Sequence, residues 1–303
     1  MKWLRKNKVS IASGSKVLNL VIRDGTAIGV ELEMNSTFQS AFAGRIIICT
    51  GGKSYPATGS TGDGYKFAEA AGHRIIPLMP SLVPVETGGN TAEKLQGLAL
   101  KNVKAIIWIN GKKGKEDFGD MIFTHFGLSG PIILTLSRFI VDELRKKNSV
   151  EVSIDLKPAL NEQKLDARLI RDLNENGKRQ LENIFRLWLP VSMIPVFFEL
   201  LALDPHKEGH QVTAKERNKI LALMKDLRFK VTGVRPFKEA IVTAGGVDTD
   251  QINPKTMESK LVKNLFFAGE VLDLDADTGG FNLQIAWSTG WLAGDVGRTL
   301  GQA

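Results

Sequence analysis

The last stretch of strong chemical character runs from Leu265 to Gly294, LFFAGEVLDLDADTGGFNLQIAWSTGWLAG. Leu265 to Ala268 is a short apolar run that predicts a buried strand. It stops at Gly269-Glu270, a loop follows to Gly279-Gly280, and from Asn282 the spacing of Leu283, Ala286, Trp287 and Trp291 turns helical. A helix start offers N–H groups without acceptors and a partial positive charge. Gly279 and Gly280 carry no side chains to keep a flat ligand off the amides of Phe281, Asn282 and Leu283. A reduced flavin is negative near N1 and the C2 carbonyl, so it suits such a helix start. Glu270, at the strand end, is placed to accept from a sugar or ribityl hydroxyl. The alternative is an ordinary βα turn whose glycines only permit the bend.

A second loop has the same grammar. Arg45 to Cys49 is continuously apolar after its arginine, which predicts a strand buried on both faces as in a parallel sheet. It empties into Thr50-Gly51-Gly52-Lys53-Ser54-Tyr55-Pro56 and then Gly59-Ser60-Thr61-Gly62-Asp63-Gly64. A helix is expected from about Tyr65 to Ala71, closed by Gly72. Ligands of open α/β sheets lie across the carboxyl ends of strands, so loops 50–64 and 269–282 are expected to face one nucleotide or flavin. Tyr55 is placed to stack on a ring or to pack, and Gly245-Gly246 permits close approach to one.

Length and composition bound the reading. A chain of 303 residues suggests two domains, and 43% hydrophobic residues suffice for a sizeable core. The net charge of +7 would attract phosphate-bearing ligands. Lys and Arg are spread along the chain, so a solvated surface is preferred to nucleic-acid binding, and no nucleic acid is expected. Cys49 is the sole cysteine, which excludes an internal disulfide and suits a reducing cytoplasm. The start lacks the apolar segment of a signal peptide, and the apolar region 184–203 is broken by Arg186, Pro190, Pro195 and Glu199. The reading is a cytoplasmic protein with no membrane partner. No cysteine–histidine spacing suggests zinc, and no metal site is expected.

These loops need elements to hold them. Residues 1–9 suggest the back half of a helix. Strands are expected at Val9–Ile11, Lys16–Ile22, Ala27–Met34 and about Phe38–Phe42, with a hairpin turn at Asp24-Gly25. Strand signals recur at 81–85, 103–109, 121–123 and 150–156, with a helix from Pro131 to about Arg145. From Asn161 to Leu227 the pattern is helical, and strands return at 231–234 and 239–243.

The segments Thr50-Gly51-Gly52, Ser54-Tyr55-Pro56 and Gly59-Ser60-Thr61-Gly62-Asp63-Gly64-Tyr65 closely resemble a family of bacterial NAD(P)/FAD-dependent oxidoreductases. That family is aminoacetone-oxidase-like and has members named bile-acid 4,6-reductases. Fumarate reductase and aspartate oxidase flavoproteins are similar more distantly. The resemblance continues through Phe123 to Pro131, Val231 to Phe237, Val242 to Val247 and Ile252 to Lys260, and so spans essentially the whole chain. It implies an α/β fold, α+β overall: a Rossmann-like FAD-binding domain interrupted by a β-barrel and a helical subdomain. The expected division is FAD-binding 1–78, barrel 79–157, helices 158–229, return strands 230–244 and FAD-binding 245–303.

The implied activity is hydride transfer through FAD, with NAD(P)H as a possible donor, to a small organic substrate. The cofactor residues expected are Thr50, Gly51, Gly52, Tyr55, Gly59, Thr61, Gly62, Asp63, Gly246, Gly269, Glu270, Gly279, Gly280, Phe281, Asn282 and Leu283. His125, within the shared motif, is a candidate to orient or protonate substrate, or else to cap the helix after Gly130. Arg235 is a candidate to hold a carbonyl or carboxylate, or else a salt bridge. One departure stands out: members begin with a βαβ unit carrying G-x-G-x-x-G for the FAD pyrophosphate, and nothing of that kind precedes Trp3. The chain therefore looks like a member without its first segment, with weakened FAD binding, little independent activity as the alternative, and self-association through an exposed sheet edge.

Overall fold

The computed structural model describes residues 2–299, and these divide into two compact units. Of the described residues, the first comprises 2–79 and 242–299, the second 80–241.

The first unit opens with α1 (Lys2–Lys6) and an antiparallel meander of β1 (Ser15–Arg23), β2 (Thr26–Met34) and β3 (Thr37–Phe42), in that order. Asp24 and Gly25 both have positive φ, 47° and 71°, the geometry of a type I′ turn that matches strand twist. Asn35 and Ser36 repeat it at 51° and 60°. The strand expected at Val9–Ile11 does not form: its apolar side chains stay exposed and find no partner strand.

Then comes β4 (Ile46–Ile48), and α2 (Asp63–Ala70) follows the glycine-rich loop. Gly72, with φ of 85°, ends α2 in a Schellman motif. Its amide donates to the Glu69 carbonyl and that of His73 to Ala68, both at 2.9 Å. Next is β5 (Ile75–Ser81).

In the second unit, β6 (Val85–Thr87), α3 (Thr91–Lys94), β7 (Ala99–Ile109), β8 (Lys112–Thr124), β9 (Gly127–Ser129), α4 (Pro131–Arg145) and β10 (Val150–Asp155) come first. The helices α5 (Glu162–Glu175), α6 (Leu181–Phe185), α7 (Ile194–Leu201) and α8 (Ala214–Lys225) follow, then β11 (Leu227–Val234). Six strands close into an antiparallel barrel in the order β10-β11-β6-β9-β8-β7.

Barrel and helices share one core. Ile107, Phe123, Val152 and Phe229 from strands pack in the same cluster as Leu169, Phe185 and Phe197 from helices and Trp188 from the turn after α6. The strand expected at 231–234 begins at Leu227, alternates buried with exposed, and closes the barrel between β10 and β6.

The chain then re-enters the first unit with β12 (Val242–Val247), β13 (Leu265–Phe267) and α9 (Phe281–Thr299). Strand β12 begins at Val242 rather than Glu239 and pairs with β5. Strand β13 pairs with β4 in parallel, Ile46 opposite Leu265 and Ile48 opposite Phe267. All three residues of β13 are buried, but β4 is not covered on both faces as its composition predicts: Ile47 is 41% exposed. A run of isoleucines shows that a strand is apolar, not how many neighbours it has.

Candidate functional site

Because β4 and β13 are parallel and in register, the loops after them leave from the same sheet edge. They touch there. A Cβ on Gly64 would strike Thr50 Oγ1 and meet Val271 at 3.0 Å. The Tyr65 hydroxyl donates to the Glu270 carbonyl at 3.4 Å. Burial beside the Glu270 and Asp273 carboxylates pushes the Tyr65 hydroxyl far above its ordinary value, so it stays a donor.

The second loop ends on the start of α9. The first helical bond of α9 runs from the Gln284 amide to the Gly280 carbonyl, 3.0 Å, so the amides of Phe281, Asn282 and Leu283 have no acceptor within the helix. Gly279 and Gly280 have φ of 104° and 90°, and a Cβ on Gly280 would meet nothing within 4 Å. Phe281 and Leu283 are exposed beside them. This is an open cradle for a flat, electron-rich group, and the residues present fit a flavin ring. The Asn282 side chain is occupied within the loop, accepting from the Ala276 amide at 2.9 Å and donating to its carbonyl at 2.8 Å. Gly269 is buried; its amide donates to Thr289 Oγ1 at 2.9 Å and straps the turn to α9.

At several of the glycines expected near a cofactor, the place a Cβ would take is filled by protein atoms. A Cβ on Gly52 would collide with Glu270 Oε1 and Thr243 Oγ1. One on Gly246 would press on the Val271 and Leu272 backbone, where β12 meets the strand-end turn. Gly51, with φ of 73°, sits beside Ser60. Gly59 (φ 103°) is open and exposed, and Gly62 (φ 85°) caps α2. Asp63 accepts from Thr61 at 2.8 Å and from Lys66 at 2.9 Å; Lys66, with Thr61, holds its carboxyl below the usual range. Tyr55, at φ 49°, is exposed, as is Thr50.

Three hydrogen-bonding residues escaped the sequence reading. Thr243 is fully buried; its Oγ1 accepts from the amides of Lys53 at 2.8 Å and Ser54 at 3.1 Å and lies 2.9 Å from Ser54 Oγ. The Thr243 amide donates to Glu270 Oε1 at 2.8 Å. The legible signal was a hydroxyl inside the otherwise apolar strand Val242–Val247, because buried polar groups are almost always partnered. Ser54 and Thr289 lacked even that.

His125 and Arg235 belong to the second unit. His125 is exposed in the β8–β9 turn, its ring edge-on to Phe126 at 4.9 Å, and the cap of α4 is Gly130 without a side-chain bond. Arg235 donates to both Glu239 oxygens at 2.9 and 2.7 Å and to Glu86 at 2.8 Å, and lies over the Phe126 ring at 4.5 Å. Glu239 and then Glu86 raise the guanidinium pKa. That geometry ties β11 to β6 across the barrel closure.

Among the described residues, no three His, Cys, Asp or Glu side chains group as metal ligands. Likewise, no described helix is long and apolar enough to cross a membrane.

Charge is unevenly divided. Residues 80–241 carry 26 Lys and Arg against 20 Asp and Glu, whereas the rest of the chain carries 14 against 13.

Comparison with known proteins matches residues 79–242 to the family model "HI0933-like protein barrel and H2TH domain". The chain is 32% identical over 287 residues to "Ribosomal RNA dihydrouridine synthase" of Escherichia coli K12, covering 94% of this chain and 67% of that protein. It is 28% identical over 291 residues to "3-dehydro-bile acid delta(4,6)-reductase" of Clostridium scindens, covering 96% and 70%. The solved 3-ketosteroid delta1-dehydrogenase from Sterolibacterium denitrificans aligns with a TM-score of 0.42 at 12% identity, over 96% of this chain and 60% of that one. The chain thus spans about two thirds of the length of these two sequence relatives.

Proposed function

This chain belongs to the HI0933-like family, and on that premise we propose that it is a flavin-dependent reductase acting on a carbon–carbon double bond conjugated to a carbonyl. The observation that carries the proposal is the cradle at the parallel strand ends: open amides at 281–283, glycines at 279–280 and a carboxylate at Glu270. The two relatives' names share one bond type. Dihydrouridine is uridine saturated at the base double bond conjugated to a carbonyl, and a 3-keto delta(4,6) steroid carries the same conjugation.

Held in this cradle, FAD would supply hydride chemistry toward the carbon β to the carbonyl, with NAD(P)H as the proposed donor. The α9 amides hold negative charge at the ring, and Glu270 accepts from a ligand hydroxyl. His125 is the proposed donor of the proton to the α carbon.

The residues of the cradle suit the ring half of FAD. The competing reading is a flavoprotein fold with little FAD binding. The decisive experiment is the absorbance spectrum of the purified chain after excess FAD and removal of the unbound part. Retained flavin is expected, with riboflavin binding nearly as well as FAD; no retention at saturating FAD selects the competing reading. With flavin bound, His125→Asn is expected to lower turnover about a hundredfold and leave flavin affinity unchanged.

For the substrate, the excess of positive charge in 80–241 favours an RNA-borne uracil, contrary to the expectation of a small molecule and no nucleic acid. Binding of a ribosomal RNA fragment that weakens steeply with salt would support this; salt-insensitive uptake of a steroid enone alone would restore the small-molecule reading.

A further inference from the structure

We infer that Thr243 is a positioning residue for the flavin site, and that it pre-shapes the Thr50–Gly64 loop and aims Glu270. The inference rests on the flavin reading above.

A threonine hydroxyl has one hydrogen and two lone pairs. Both lone pairs of Thr243 Oγ1 are filled by the successive amides of Lys53 and Ser54. Its hydrogen therefore goes to Ser54 Oγ, 2.9 Å away. Two consecutive amides converging on one point form the kind of concavity that elsewhere binds an anion. Here a protein oxygen fills it, so those amides are closed to phosphate and the loop takes its shape without a ligand.

The same residue acts on the other loop through its backbone. The Thr243 amide holds Glu270 Oε1 at 2.8 Å, which leaves Oε2 as the oxygen a ligand hydroxyl would meet. Strand β12 thus joins two loops that leave β4 and β13, and it is buried where it does so. Gly52 completes the device. Its missing Cβ is the space that Glu270 Oε1 and Thr243 Oγ1 occupy. That explains the glycine without any contact to cofactor.

The test compares Thr243→Val, Thr243→Ser and Gly52→Ala with the parent chain. Valine keeps the shape and removes the oxygen that accepts the Lys53 amide and the buried Ser54 amide; serine restores that acceptor. FAD dissociation constants are read by fluorescence quenching, and amide hydrogen exchange at 53–54 is read without flavin. The expected result is an FAD affinity about tenfold weaker or more for Thr243→Val and Gly52→Ala, near-parental affinity for Thr243→Ser, and fast exchange at 53–54 in the valine variant. Parental affinity and protection in Thr243→Val would overturn the inference. If the parent chain binds no flavin, the flavin reading itself fails, while the exchange result still decides whether Thr243 shapes the loop. Should Thr243→Val not fold, the Thr243→Ser and Gly52→Ala pair decides: equal affinities in both would refute the inference.

Discussion

The two units solve the same sheet problem in opposite ways. Residues 80–241 close six strands into a barrel, so each barrel strand has two neighbours, and one continuous core joins barrel to helices. The other unit divides its described strands among a three-stranded meander and two pairs, β12 with β5 and β13 with β4. Closure removes edges; in the other unit β13 has β4 on one side and the 257–259 segment on the other, while β4 pairs only with β13 among the described strands. Exposed large apolar side chains occur in both units and are more numerous in the open one. Ile47 on β4 is 41% exposed, and along α9 Leu283, Trp287 and Trp291, four residues apart, are 68%, 77% and 65% exposed. The unit with the proposed flavin cradle is the open one, and its loops hang on hydroxyl and carboxylate bonds. A closed core gives stability; an open edge and free helix start give access for a ligand.

The largest effect should come from the closed unit. Phe123, fully buried against Phe229 at a centroid distance of 5.7 Å, should cost about 3–5 kcal/mol as Phe123→Ala in urea unfolding. A loss under about 1 kcal/mol would mean the barrel core is not what holds that unit.

Next is association. Self-association is proposed through the exposed edge and the α9 stripe of the open unit. Sedimentation of the parent chain should depend on concentration, and Ile47→Lys or Trp287→Lys should weaken the association at least about tenfold by placing a charge on a desolvated face. A parent chain that stays monomeric throughout would remove association from the contrast between units.

The pH responses should separate the units as well. In the closed one, Glu216 completes a capping box with Thr213 and accepts from Lys207 at 2.7 and 2.8 Å. Lys207, then Thr213, pull its carboxyl down to about 2. A lowered carboxylate contributes above its unfolded value and loses that contribution as pH falls from about 4.3 through about 2. Glu216→Gln should cost roughly 1–2 kcal/mol at neutral pH and flatten that acid limb of the unfolding curve.

In the open unit, His73 is buried edge-on to Phe267 at 4.9 Å, with Nε2 2.8 Å from Ser259 Oγ. Ser259 Oγ already accepts the amides of Leu261 and Val262, so its hydrogen goes to Nε2 and the ring is neutral. Burial lowers the His73 pKa, so its contribution is complete above the unfolded value near 6.5 and is lost as pH falls below it. His73→Gln should remove a shallow stability slope on the acid side of pH 6.5 and leave the Glu216 limb in place. A slope unchanged by the variant would place its origin elsewhere.

What could be read from the sequence was local. Asp24-Gly25 set a hairpin, Gly72 a helix end and Pro131 a helix start, because each acts through backbone angles within a few residues. The order strand, acidic turn, double glycine, helix was legible for the same reason, as were the free amides that open α9. Pairing was not legible. Ile46 lies opposite Leu265, and the Lys53 amide bonds Thr243, 190 residues away. Periodicity reports which faces of a strand are apolar and is silent on which strand lies beside it, so the exposure of Ile47 and the closure of the barrel by β11 were decided only in three dimensions. The same holds for Gly52 and Gly246, where the sequence shows a missing side chain and only the fold shows that protein atoms, not a ligand, fill its place.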